Sequence, residues 1–144
     1  MTDRHLITAA FVLALGVVTA VVGSARAADG RIGMELNKLE PLADACRAYL
    51  VLTNGAGAAF SDLKLDLVIF DAEGIVARRV AVQGGPLPDG KTSLKVFDID
   101  GVPCAKIGRF LLNGVMTCAA RDGKREGCAG LIDTSSRASV KLIK

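Results

Sequence analysis

Histidine is almost missing from this chain. His5 is the only one among 144 residues, and it lies in a stretch that reads as an export leader. Arg4 and His5 make a weakly positive start, and residues 6–22 are apolar apart from Thr8 and Thr19. Gly23-Ser24 then precedes Ala25-Arg26-Ala27, the small-x-small form that a signal peptidase cuts after. Cleavage at residues 1–27 leaves a mature domain, 28–144, with no histidine, so the commonest general base and metal ligand is gone. Tryptophan is absent altogether. The mature aromatics are Tyr49, Phe60, Phe70, Phe97 and Phe110, too few to supply stacking platforms for bases or sugars.

Other absences narrow the field further. Removing Arg4, Arg26 and Asp3 from 18 basic and 15 acidic residues leaves a net charge near +2, mixed along the chain. That is no electrostatic footprint for nucleic acid. No second apolar run reaches spanning length, so no stable membrane insertion is expected once the leader is removed. The leader itself is short for an uncleaved anchor. No Cys follows the cleavage point to accept a lipid, and Arg4 stands alone where a twin-arginine signal needs a pair. The expected route is Sec-type secretion to the periplasm or beyond.

Four cysteines survive processing: Cys46, Cys104, Cys118 and Cys128. An even number in an exported protein reads as two disulfides. A thiol enzyme would want a Cys-x-x-Cys pair or a cysteine beside a base, and a zinc site would want two close pairs. The separations of 58, 14 and 10 residues fit neither. Met34 and Met116 are too few for a copper carrier. The sequence therefore points away from an enzyme, and no catalytic residue, metal or cofactor is expected.

Alternation of apolar and polar residues marks seven candidate strands: 34–39, 46–54, 63–70, 75–83, 92–99, 107–117 and 135–143. The third is clearest, with Leu63, Leu65, Leu67 and Ile69 on one face. In the first, Met34, Leu36 and Lys38 fall on one face. In the fourth, Val76, Val80 and Val82 alternate with Arg79 and Gln83, and Arg78-Arg79 is a basic spot. Glycine-rich stretches at 55–57 and 84–90 and the turn 71–74, ended by Gly74, separate strands, and 104–112 has room for a short helical turn. This pattern predicts a single immunoglobulin-like antiparallel β-sandwich of about seven strands.

Strand direction then constrains the cysteines. Cys46 opens the second strand and Cys104 precedes the sixth, so both fall at one end of the sandwich. Cys118 closes the sixth, roughly 30 Å or more away, beyond the ~7 Å that a bridge spans between Cα atoms. Cys46–Cys104 and Cys118–Cys128 are therefore expected, worth about 4 and about 3 kcal/mol by loop entropy. Asn113-Gly114 offers an alternative. It is a two-residue hairpin signal, and a reversal there would pair Cys104 with Cys118 and Cys46 with Cys128.

Asp98-Ile99-Asp100-Gly101 has the start of a calcium loop, but its glycine comes too early and no helix flanks it. No spacing recommends a catalytic carboxylate pair. The densest charge cluster is 121–126, in the loop 119–127 between Cys118 and Cys128. Arg121, Lys124 and Arg125 make it a candidate partner-binding tip, since rigid scaffolds present function on loops.

The stretch 63–97 resembles bacterial immunoglobulin-like domains of the FxLYD type. The matching residues are Val68-Ile69-Phe70-Asp71-Ala72-Glu73-Gly74 and Leu87-Pro88-Asp89-Gly90-Lys91-Thr92. The mature chain also resembles a family of small exported bacterial proteins, of no assigned activity, with this sandwich and four cysteines. The resemblance implies a role in binding or spacing other proteins and carries no catalytic residues. The expected function is a non-catalytic, disulfide-stabilised periplasmic module that binds another envelope protein. The alternatives are a secreted hydrolase inhibitor using loop 119–127 and a thiol-disulfide exchange enzyme.

Overall fold

The computed structural model describes residues 30–144; the expected leader, 1–27, lies outside them. The described residues form nine strands: β1 (Ile32–Pro41), β2 (Ala45–Asn54), β3 (Phe60–Asp71), β4 (Val76–Gln83), β5 (Thr92–Asp100), β6 (Ile107–Ala120), β7 (Gly123–Lys124), β8 (Ile132–Ser136) and β9 (Lys141–Ile143). Two sheets pack face to face as an all-β sandwich. One has the order β5-β2-β1-β8; the other has β4-β3-β6-β7, with β9 also paired to β6. The room for a helical turn before β6 holds a 3-10 turn, Cys104–Lys106.

Period-2 alternation builds the core. Leu63, Leu65, Leu67 and Ile69 of β3 are fully buried, facing Met34 and Leu36 of β1 and Leu50 and Leu52 of β2. Burying each such side chain contributes roughly 1.5–3 kcal/mol. Phe60 and Phe110 are the largest buried side chains.

The alternation breaks at bulges, where one residue drops out of the ladder and the strand changes face. In β1 the register slips between Leu36 and Lys38. Beyond the skipped Asn37, Leu39 rather than Lys38 packs on the core, and Lys38 turns outward over the Tyr49 ring, 5.1 Å away. Ala77 is skipped in the same way in β4, which leaves Val76 exposed while Val82 is buried. β6 skips Gly108, Asn113 and Met116 opposite β3.

Two features differ from a simple antiparallel arrangement of seven strands. The expected last strand, 135–143, is divided between β8 and β9. Ser136 Oγ donates to the Val140 carbonyl at 2.6 Å, and the Arg137 amide donates to the Leu36 carbonyl at 2.9 Å. These bonds end one strand and send the chain across the sandwich. Both halves then pair in parallel, β8 with β1 and β9 with β6. The C-terminal segment thereby ties the two sheets together, with Ile132 in one and Leu142 in the other, both buried.

Candidate functional site

Both disulfides join cysteines that the strands deliver to the same end. Cys46, opposite Ile99 at the start of β2, is bonded to Cys104 in the 3-10 turn before β6, with a Cα–Cα distance of 4.8 Å. Cys118, near the far end of β6, is bonded to Cys128 at 6.5 Å. β6 runs through Asn113-Gly114 without reversing, because the hairpin-like dipeptide forms a bulge there instead.

The Cys118–Cys128 bridge closes the base of loop 119–127. Inside it the chain turns back, and β7 pairs with β6 through Ala119 opposite Lys124 and Ala120 opposite Gly123. Gly123 and Gly127 have φ of +117° and +70°, left-handed values that a side chain would strain. The Arg125 amide donates to the Cys118 carbonyl at 2.9 Å. The tip is thus a hairpin held by a ladder, a backbone bond and a covalent clamp.

Its three cations divide into two kinds. Arg125 lies over the Phe60 ring, 5.8 Å from its centroid, and 3.8 Å from the Asp122 carboxylate, so it anchors the tip to the sandwich. The side chains of Arg121 and Lys124 are exposed and make no hydrogen bond or ion pair with any described residue.

Shallow grooves flank the tip on both sides. Arg121 stands between two of them, of about 480 and 300 Å³, which share Ala59 as a second common wall. On the other side, two grooves of about 290 and 270 Å³ run past Met116 and Glu126. Met116 is 53% exposed because the bulge turns it out of the ladder.

Asn54 shapes this end from below, a role its place in the glycine-rich 54–57 stretch does not reveal. It is buried, and its Nδ2 donates to the carbonyls of Ala58 (2.8 Å), Leu87 (3.1 Å) and Pro88 (3.1 Å). Its Oδ1 accepts from the Ala56 amide at 3.0 Å. One side chain therefore holds the loop after β2 against the loop before β5.

The remaining charged motifs are taken up by the scaffold. Asp98 is paired with Arg47 at 2.7 Å, which pulls its carboxyl below the ordinary range. Arg79 forks onto Asp66, whereas Arg78 reaches across to the Asp100 carbonyl. Cys46, Cys118 and Cys128 are buried.

Fold and site together define a class: a small all-β sandwich with two disulfides that presents a clamped, basic hairpin tip. Among solved structures, IrmA from Escherichia coli is similar in fold, with a TM-score of 0.54 at 13% identity over 72% of this chain and 90% of IrmA. No protein-family model matches the chain, and no curated protein matches it.

Proposed function

We propose that this chain is a non-catalytic, exported module of the bacterial cell envelope that binds another protein through its 119–127 tip. The observation that carries this is the contrast within the tip. Its backbone is fixed by the Cys118–Cys128 bridge and the Arg125–Cys118 bond, while the side chains of Arg121 and Lys124 project with no partner among the described residues. A rigid loop loses little conformational entropy on binding, which raises the affinity available from each contact. Unpaired cations add electrostatic steering toward an acidic surface. The two disulfides and the leader-like residues 1–27 support an oxidising, extracytoplasmic setting. Burial of three of the four cysteine side chains favours a structural role for the bridges over thiol exchange.

The test uses purified mature protein immobilised against envelope extract, in parallel with an Arg121→Ala/Lys124→Ala double variant. Proteins retained by the wild type and lost from the variant are expected, with identical far-UV circular dichroism for both. Identical retention by both proteins, or none by either, would overturn the proposal.

A further inference from the structure

The tip's surroundings specify the chemistry of what it holds, given the protein-binding function proposed above. Arg121 is common to two adjoining grooves. The larger continues along Ala58, Ala59 and Ala120 to Asp122 and Arg125, whose charges are turned on each other at 3.8 Å. The smaller is walled by Phe60, Pro86 and Pro88. Asn54 holds both sides in place, since it bonds the Ala58 carbonyl on one and the Leu87 and Pro88 carbonyls on the other. The result is a continuous, mainly apolar trough with the Arg121 guanidinium at its middle and the Asp122–Arg125 ion pair at one end.

Several ligand classes fit this trough badly. Phe60 is 1% exposed and lies under Arg125, so it offers no open ring for a base or a sugar to stack on. The walls are mainly alanine and proline carbon, with few of the convergent polar groups that orient a small polar molecule. A free guanidinium flanked by apolar surface instead complements a carboxylate flanked by small apolar side chains. The fork of Arg donors matches a carboxylate bidentately, and shallow apolar walls accept an extended backbone with short side chains.

We infer that the Arg121 trough binds an extended peptide segment of the partner in which an acidic residue is flanked by small apolar ones. The carboxylate meets Arg121, and the flanking residues lie along Ala59 and Ala120 on one side and Pro86 and Pro88 on the other.

The probe is the capped pentapeptide Ala-Ala-Asp-Ala-Ala, titrated into ¹⁵N-labelled mature protein and followed by amide chemical shifts. The Asn-centred peptide and sodium acetate serve as controls. Shifts are expected at Ala59, Ala120 and Arg121, with the Asp peptide binding about tenfold more tightly than the Asn peptide, as loss of a charged hydrogen bond implies. Arg121→Gln should erase that difference. Because the Arg121 side chain bonds no described residue, the variant should fold as the wild type does. Equal affinity for the two peptides, shifts centred on Met116 and Glu126, or reproduction of the effect by acetate would each overturn the inference. The two proposals fail separately. An envelope protein whose retention needs Lys124 but not Arg121 leaves the binding tip standing and removes the trough. Peptide discrimination without any retained envelope protein does the reverse.

Discussion

Arg79 closes over Asp66 with two parallel hydrogen bonds, Nε to Oδ1 at 2.7 Å and the terminal guanidinium nitrogen to Oδ2 at 2.8 Å. The pair lies on the outer face of the β3–β6 sheet, yet the Asp66 side chain is only 7% exposed while that of Arg79 is 64% exposed. A third donor comes from the β6 bulge, where Asn113 Nδ2 reaches Oδ2 at 2.6 Å. The bulge that interrupts alternation therefore also satisfies a buried carboxylate.

This arrangement makes stability depend on acid. The Arg79 hydrogen bonds, then that of Asn113, hold the Asp66 carboxyl below its ordinary value, against a smaller upward push from burial. A carboxylate depressed in the folded state contributes fully above the unfolded pKa of about 4, and that contribution is lost as pH falls through the folded value. Thermal denaturation followed from pH 7 to pH 2 should show stability falling below about pH 4. Asp66→Asn should flatten part of that limb and cost about 1–2 kcal/mol at neutral pH. An unchanged acid limb in the variant would show that other carboxylates dominate.

Asn54 should matter more than its place in a glycine-rich stretch implies. Replacement by Ala removes one donor from each of three carbonyls and the acceptor of the Ala56 amide. Leu87 and Pro88 keep backbone donors, whereas the Ala58 carbonyl and the Ala56 amide lose the side-chain partner that ties the two loops, and buried polar networks fail as a unit. Asn54→Ala is expected to cost about 2–3 kcal/mol in urea unfolding. It should also shift the amide resonances of Ala58 and Pro88's neighbours, which an effect confined to β2 would leave in place.

The disulfides can be ranked. Non-reducing peptide mapping should recover Cys46 linked to Cys104 and Cys118 linked to Cys128. Replacing the first pair by Ala should destabilise by about 4 kcal/mol and the second by about 3, because the first closes the longer loop. Loss of the second pair should in addition weaken partner retention, since it frees the tip.

Two glycines of the same strand should behave in opposite ways. A β-carbon at Gly108 would land on the Asp71 carbonyl and crowd Ala72, whereas one at Gly114 would meet nothing within 4 Å. Gly108→Ala is expected to cost about 3 kcal/mol, in the range of overpacked backbone contacts. Gly114→Ala should fall within about 0.5 kcal/mol of the wild type. Equilibrium unfolding of the two variants side by side separates close backbone approach from mere strand propensity.

Much of the fold is legible in the order of residues, and some of what was hard to read is written there too. The inward residues of β6 are Ile107, Phe110, Leu112, Val115, Cys118 and Ala120. Their three three-residue steps mark the bulges at Gly108, Asn113 and Met116. The step from Leu36 to Leu39 marks the bulge at Asn37 in the same way. A strict period of two misses these, which is why Lys38 falls on the wrong face.

What the chain order determined by itself was local. Alternation placed the strands, glycine and proline placed their ends, and strand direction favoured the cysteine pairs that form, with the Asn113-Gly114 alternative removed only by the unbroken course of β6. Tertiary structure decided everything that depends on which distant segments meet: the parallel seating of β8 and β9, the meeting of Asn113 with Asp66, and the Asn54 staple between two loops. It also decided which of the tip's cations stays free. Arg125 is engaged by the nearby Asp122 and by Phe60, 65 positions earlier in the chain, which packs beneath it. Side-chain periodicity reports one residue's environment along its own strand. Pairing and hydrogen-bond partners are set by closure of the whole sandwich, where contacts far apart in sequence form together or not at all.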